Sequence, residues 1–322
     1  MTLHHAPRRS WRLLALTTAA VTGFSLLAAS PATADATATE PLKTISDSGV
    51  VSDVASIATP DLAAQSGFAG TGAIGTDGAD HGIDLDGTAR GGVGIYSVIG
   101  TDGRVRETST TGSVMARSTA LLTYEKDGWR KQFCTGWLFG PDTIITAGHC
   151  VYNPVTKVWQ TSNGQLRAWP GRDDAKTPYG SCTVKSVWTT TEWFQNADRN
   201  YDVAAMKLNC TVGNTTGWPG IWYTSASLVG ETMYVRGYPA DKPYATQWWH
   251  ADVATADTTA KRLFYMTDTY NGQSGSPVYS FVVGNCTCVL GIHATGTTVG
   301  PVNGGTRITK EIADQLMYWR NM

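Results

Sequence analysis

Short apolar runs recur along this chain, each closed off by Gly, Pro or Asn, and this rhythm limits the fold more than any other feature. They lie at Thr119 to Tyr124, Phe133 to Phe139, Thr143 to Thr146, Val184 to Trp188, Val203 to Leu208, Thr232 to Arg236, Phe264 to Thr267, Val278 to Val283 and Val289 to His293. Runs of this length between turn residues are strands of a barrel or sandwich and do not suit alternating strands and helices. Only Ile308 to Trp319 reads as a helix, because Ile308, Ile312, Leu316 and Trp319 recur at helical spacing. The expectation is an all-β fold with a C-terminal helix and no internal repeat.

The N-terminus does not share that rhythm. Arg8, Arg9 and Arg12 precede a mostly apolar run from Leu13 to Ala29, which is short for a membrane span, and Ala32-Thr33-Ala34 supplies small residues for a signal peptidase. Residues 1–34 are therefore expected to be a signal peptide of the general secretory route, cleaved before Asp35. The chain is expected to be secreted, without a membrane anchor. From 35 to 96 the composition shifts to Ala, Thr, Ser, Gly and Asp, with few aromatics. Such a segment buries little apolar area against its ordering entropy, so it is expected to be loosely ordered and to serve as a pro-region. Residues 97–322 are of ordinary size for one all-β domain.

A formal net charge of −1, with no basic stripe among aromatics, argues against nucleic acid as a partner. The twelve tryptophans, Trp248-Trp249 among them, allow a carbohydrate-binding sandwich, but in a β-rich domain core and rim packing is their ordinary use. Six cysteines in an exported chain favour disulfides. No Cys-x-x-Cys with a second matching pair is present, so no metal is expected, and no cofactor. Nothing in the sequence points to oligomerisation, and a monomer is expected.

Candidate chemistry centres on Gly272-Gln273-Ser274-Gly275-Ser276-Pro277, a serine in a tight glycine-flanked turn. A serine hydroxyl is a poor nucleophile until a base takes its proton, so a histidine and a carboxylate to orient it are required. His149 ends the apolar run Ile144-Ile145-Thr146-Ala147-Gly148, and Asp202 opens the run Val203 to Leu208. In this reading Ser274 attacks a peptide carbonyl, His149 accepts its proton, and Asp202 holds the imidazole tautomer.

The order His, Asp, Ser resembles that of the chymotrypsin-like serine peptidases. The stretches Asp268-Thr269, Gly272 to Val278, Leu290 to Gly296 and Gly304 to Glu311 closely resemble the secreted glutamyl endopeptidases of bacilli. The resemblance covers most of 97–322. It implies two packed six-stranded antiparallel β-barrels and an oxyanion hole made by the backbone N–H groups of Gly272 and Ser274. It also implies a substrate carboxylate read by His293, Thr269 and the mature N-terminal amine. Ser97-Val98-Ile99-Gly100 is similar to that mature terminus, which implies maturation at Ser97. The partners implied are protein or peptide substrates, cut after Glu with Asp second.

Trypsin carries the acid that selects Arg and Lys at the position of Asp268, so trypsin-like cleavage is the alternative enzyme. An inactive peptidase-fold binding protein is the alternative of another class, although such proteins usually lose a triad residue. The resemblance also implies a Cys134–Cys150 bridge. Cys286 and Cys288 correspond to a close-spaced pair in those relatives, with fewer residues between them here. If they bond, Cys182 and Cys210 are left to each other; the pairing of these four stays open.

Overall fold

The computed structural model describes residues 42–54, 64–74, 98–281, 286–296 and 301–322. The signal peptide expected over 1–34 and Ser97 lie outside these residues.

The strands of the first half are β1 (Lys43–Ser46), β2 (Val51–Asp53), β3 (Ala64–Gln65), β4 (Val105–Arg106), β5 (Thr119–Lys126), β6 (Trp129–Leu138), β7 (Thr143–Thr146), β8 (Tyr152–Asn153), β9 (Val158–Trp159), β10 (Gln165–Pro170), β11 (Cys182–Thr190) and β12 (Ala204–Leu208). Helix α1 (Val114–Ser118) leads into β5, and α2 (Thr191–Asn196) follows β11. Six strands run in the order β10-β5-β6-β7-β12-β11, and β10 pairs with β11 to close the ring. Closure covers the edge of β11 at Cys182 and Thr183, leaves its far end open to a further strand, and turns alternate residues inward. Trp137, Leu122, Ile144, Ile145, Val187 and Met206 are each fully buried, on one face of the sheet or the other. β7 is short and β-branched throughout, and all four of its residues are buried, as suits a central strand.

The second half contributes α3 (Gly213–Thr216), β13 (Gly220–Trp222), β14 (Thr232–Gly237), β15 (Trp248–Val253), β16 (Arg262–Tyr265), β17 (Pro277–Ser280), β18 (Cys288–Gly296), β19 (Asn303–Arg307) and α4 (Lys310–Asn321). The order β16-β19-β18-β17-β14-β15 curls into a half-barrel rather than a second closed ring. Beyond β15 lies β4, and among the described residues the chain after β15 meets β16 at the Ala254–Tyr265 bridge, with Thr255 N donating to Phe264 O and Met266 N to Val253 O. β16 is too short to continue the ladder, because the chain before it turns through Thr255 to Lys261.

Helix α4 has the expected stripe: Ile308, Ile312, Leu316 and Trp319 are all buried. Thr309 caps it by accepting from Ile312 N at 3.2 Å. At its other end Lys207 Nζ, buried in the first barrel, donates to Trp319 O at 3.1 Å and pairs with Asp142 at 2.8 Å. A cation at the carbonyl end of a helix satisfies acceptors that have no intrahelical partner. The bridges are Cys134–Cys150, Cys182–Cys210 and Cys286–Cys288.

Residues 42–54 and 64–74 are not loosely ordered, contrary to the expectation from composition. β1 and β2 form a hairpin whose first strand pairs antiparallel with β11, in register Thr44 with Thr190 and Ser46 with Trp188. Leu42, Thr44, Ser46 and Val54 are buried, and Trp319 Nε1 donates to Thr44 Oγ1 at 2.9 Å. β3 pairs with β13, and the Phe68 and Trp218 rings lie 4.7 Å apart. Backbone pairing to strands already held supplies what the apolar content lacks, and a composition argument does not count it.

Candidate active site

His149 lies in the single helical turn Gly148–Cys150 that follows β7. Its Nδ1 lies 2.9 Å from Asp202 Oδ2, and its backbone N–H donates to Asp202 Oδ1 at 2.9 Å. A carboxylate accepting at Nδ1 places the ring proton there and leaves Nε2 with a lone pair, the tautomer a general base needs. Burial disfavours the charged imidazole, but the Asp202 charge and hydrogen bond outweigh it and raise the His149 pKa above 6.5. Burial likewise works against ionised Asp202, and the charge and hydrogen bonds of His149 outweigh it to hold that carboxyl below the usual range. The Trp193 ring stands edge-on to the imidazole at 6.3 Å.

Ser274 lies beside the histidine turn, its carbonyl oxygen 3.7 Å from Cys150 Sγ, and is held there through contacts made by β6. Thr135 N donates to Ser274 O at 2.8 Å, and Thr135 Oγ1 donates to Gly272 O at 2.8 Å. The Cys134–Cys150 bridge joins the neighbour of Thr135 to the neighbour of His149. It therefore ties the histidine turn to the strand that holds the serine turn. Closing a loop of this size is worth about 3 kcal/mol in the chain-entropy model.

Within the turn, the amides of Gln273, Gly275 and Ser276 donate to Tyr270 O, His293 O and Gln273 O at 3.0, 2.7 and 3.0 Å. Those of Gly272 and Ser274 have no acceptor among the described residues. Gly272 has φ 89°, and a Cβ there would stand 2.5 Å from Tyr238 O, so only glycine fits. Two unspent N–H groups beside a serine hydroxyl are the donor set that a tetrahedral oxyanion requires.

Beyond the serine, His293 on β18 is buried, and its Nδ1 lies 2.7 Å from Tyr265 OH. With that hydroxyl as the donor, the ring proton of a neutral His293 sits on Nε2. Burial first, then the charges of His149 and Arg262, push the His293 pKa down to about 3, so the ring is neutral at ordinary pH. Thr269 is buried in the same region, and its hydroxyl has no partner among the described residues. Tyr265 was missed in the sequence reading, although strand alternation from Phe264 turns it inward.

Asp268 is held by backbone through both of its carboxylate oxygens. Its Oδ1 accepts from Ile99 N at 2.6 Å, and its Oδ2 accepts from Gly103 N at 2.8 Å. His250 Nδ1 lies 3.6 Å from Oδ2 and accepts from Asp268 N at 2.7 Å. Both carboxylate oxygens are thus taken up by the backbone that follows the expected maturation point.

One possible metal-ligand set among the described residues is Cys134, His149 and Cys150. Its two sulfurs are bonded to each other and offer no thiolate, so the set does not fit a metal.

The trypsin family signature matches residues 107–310. The chain is 40% identical over 240 residues to the glutamyl endopeptidase of Bacillus licheniformis, covering 70% of each chain. It is 39% identical over 227 residues to a Bacillus subtilis protein named extracellular metalloprotease, again covering 70% of each. Among solved structures, a Glu endopeptidase in complex with MPD superposes with TM-score 0.61 at 27% identity, covering 70% of this chain and all of that one.

Proposed function

The chain belongs to the trypsin family of serine peptidases, and on that premise we propose that it hydrolyses peptide bonds after glutamate, with aspartate second. Ser274 is the nucleophile, His149 the general base and later the acid, and Asp202 the group that fixes the imidazole. The Gly272 and Ser274 amides receive the oxyanion. Attack gives an acyl-enzyme, which a water activated by His149 then hydrolyses.

The observation that carries the specificity is the contrast between His293 and Asp268. His293 Nε2–H and the Thr269 hydroxyl are donors without partners among the described residues, whereas the negative charge of Asp268 is already engaged by Ile99 and Gly103. Burying a substrate carboxylate is costly unless hydrogen bonds replace its water, and this pocket offers them. The shorter aspartate reaches the same donors less well.

The enzyme is exported on residues 1–34 and matured at about residue 97 by removal of 35–96. The Ile99 amide is bonded to the neighbour of Thr269, so an amine two residues before Ile99 lies within reach of the pocket and adds positive charge there. The test is mass spectrometry of a denatured protein digested by the mature enzyme. Cuts should follow Glu and disappear with Ser274→Ala. Cuts mainly after Arg or Lys would remove the assignment of His293.

A further inference from the structure

One peptide bond decides whether Gly272 can serve the oxyanion. In a trans peptide the carbonyl oxygen and the amide hydrogen point to opposite sides, so fixing one fixes the other. Ala240 N donates to Asn271 O at 2.7 Å, which turns that carbonyl toward the loop after β14 and sends the Gly272 N–H the other way. The loop is itself restrained. Tyr238 O accepts from Gln132 Nε2 at 2.7 Å, and the Asp241 carboxylate receives Arg104 through two parallel hydrogen bonds of 2.9 and 2.5 Å.

Arg104 is an unusual anchor. Its side chain is fully buried, and the other edge of its guanidinium pairs with Asp102 at 2.9 and 2.8 Å. Its guanidinium carbon lies 5.7 Å from the centre of the Tyr270 ring, and Tyr270 stands two residues before Gly272. The backbone around it is held to Asp268 at Ile99 and Gly103. The segment 98–104 thus grips the serine turn at the Tyr270 ring and, through Asp241, the loop that orients its peptide.

We infer that Arg104 is a positioning residue for the oxyanion donors, acting through Asp241 and Ala240 on the Asn271–Gly272 peptide. Docking of the segment 98–104 is thereby linked to competence of the active site. This rests on the proposed role of the Gly272 amide. It assigns Arg104 no contact with substrate.

Asp241→Asn keeps the shape of the side chain and weakens the fork. Arg104→Lys keeps the charge but cannot bridge two carboxylates in a bidentate manner. Losing one oxyanion donor outright costs about 100- to 1,000-fold in kcat, so a loosened one should cost about tenfold. Each variant should lose about that factor in kcat on a Glu peptide, with KM nearly unchanged, while staying folded at the assay temperature. Affinity for a peptide boronate and the rate of Ser274 labelling by an organophosphorus reagent should fall by the same factor, since both place an oxygen between the same donors. If Arg104→Lys does not fold, Asp241→Asn still decides. Unchanged kcat and labelling in a folded variant, or a loss confined to KM, would overturn the inference. Labelling does not use the glutamate pocket, so it tests Arg104 even if the wild type proves to cut elsewhere. A wild type that is not labelled at all would defeat both the catalytic reading and this inference.

Discussion

Replacing Tyr265 by Phe removes one oxygen that touches no substrate, yet it should weaken cleavage after Glu. A neutral imidazole has one donor and one acceptor nitrogen, and at His293 the Tyr265 hydroxyl, 2.7 Å from Nδ1, selects which is which. Without it the proton is free to sit on Nδ1, and Nε2 then turns a lone pair toward the substrate carboxylate. The hydroxyl's net contribution is that of one neutral hydrogen bond, about 0.5–1.5 kcal/mol, or roughly 2- to 12-fold in kcat/KM. His293→Ala removes the donor itself, a hydrogen bond to charge worth about 1.5–3 kcal/mol, or roughly 10- to 150-fold. Tyr265→Phe should therefore fall between wild type and His293→Ala for a Glu peptide. It should change little for the matching Gln peptide, whose amide can either donate or accept. The assay is kcat/KM on paired peptides differing only at that residue, with organophosphorus labelling as a control for the triad. An unchanged Glu-to-Gln ratio would mean that Tyr265 does not set the tautomer, and the account of the pocket would have to be withdrawn.

The His149 pKa is raised, and the base works only when neutral, so activity should be lost as pH falls through a value above 6.5. Asp202→Asn removes the charge that raises it; the acid limb of the kcat/KM profile should move down, with kcat reduced by about 10⁴. A limb that stays in place would point to another titrating group. N-terminal sequencing of the secreted active enzyme should read Ser97 or a residue close by, and finding Asp35 instead would contradict maturation near 97.

Strands that are continuous runs of β-branched or apolar residues, such as β7 and most of β12, were legible in the sequence, and so were the helix and the pairing of His149 with Asp202. Others were hidden for physical reasons. β19 reads Asn-Gly-Gly-Thr-Arg, a poor strand by propensity. It is nevertheless a strand because β16 and β18 flank it, and a Cβ at Gly305 would meet Ile292 O at 2.3 Å. β10 carries Arg167 and Pro170, which break the apolar pattern, yet it closes the first barrel. β15, Trp-Trp-His-Ala-Asp-Val, mixes polar and aromatic residues because it lies partly exposed near the edge of its sheet. The hairpin of β1 and β2 depends on the edge of β11, a partner more than 130 residues away in the chain. Arg104 and Tyr265 act through such distant contacts, and no spacing rule marks them.

The engagement of Asp268 has a consequence for redesign. Where a carboxylate faces an open pocket, a change of selectivity can begin by removing whatever competes with it. Here both oxygens serve as a strut for the backbone at Ile99 and Gly103. Deleting His293 and Thr269 would therefore produce a pocket with weakened preferences, not one that selects lysine or arginine. A useful conversion would import a new acid and leave Asp268 in place, because releasing it would leave two backbone amides without their acceptor and loosen the segment that carries Arg104.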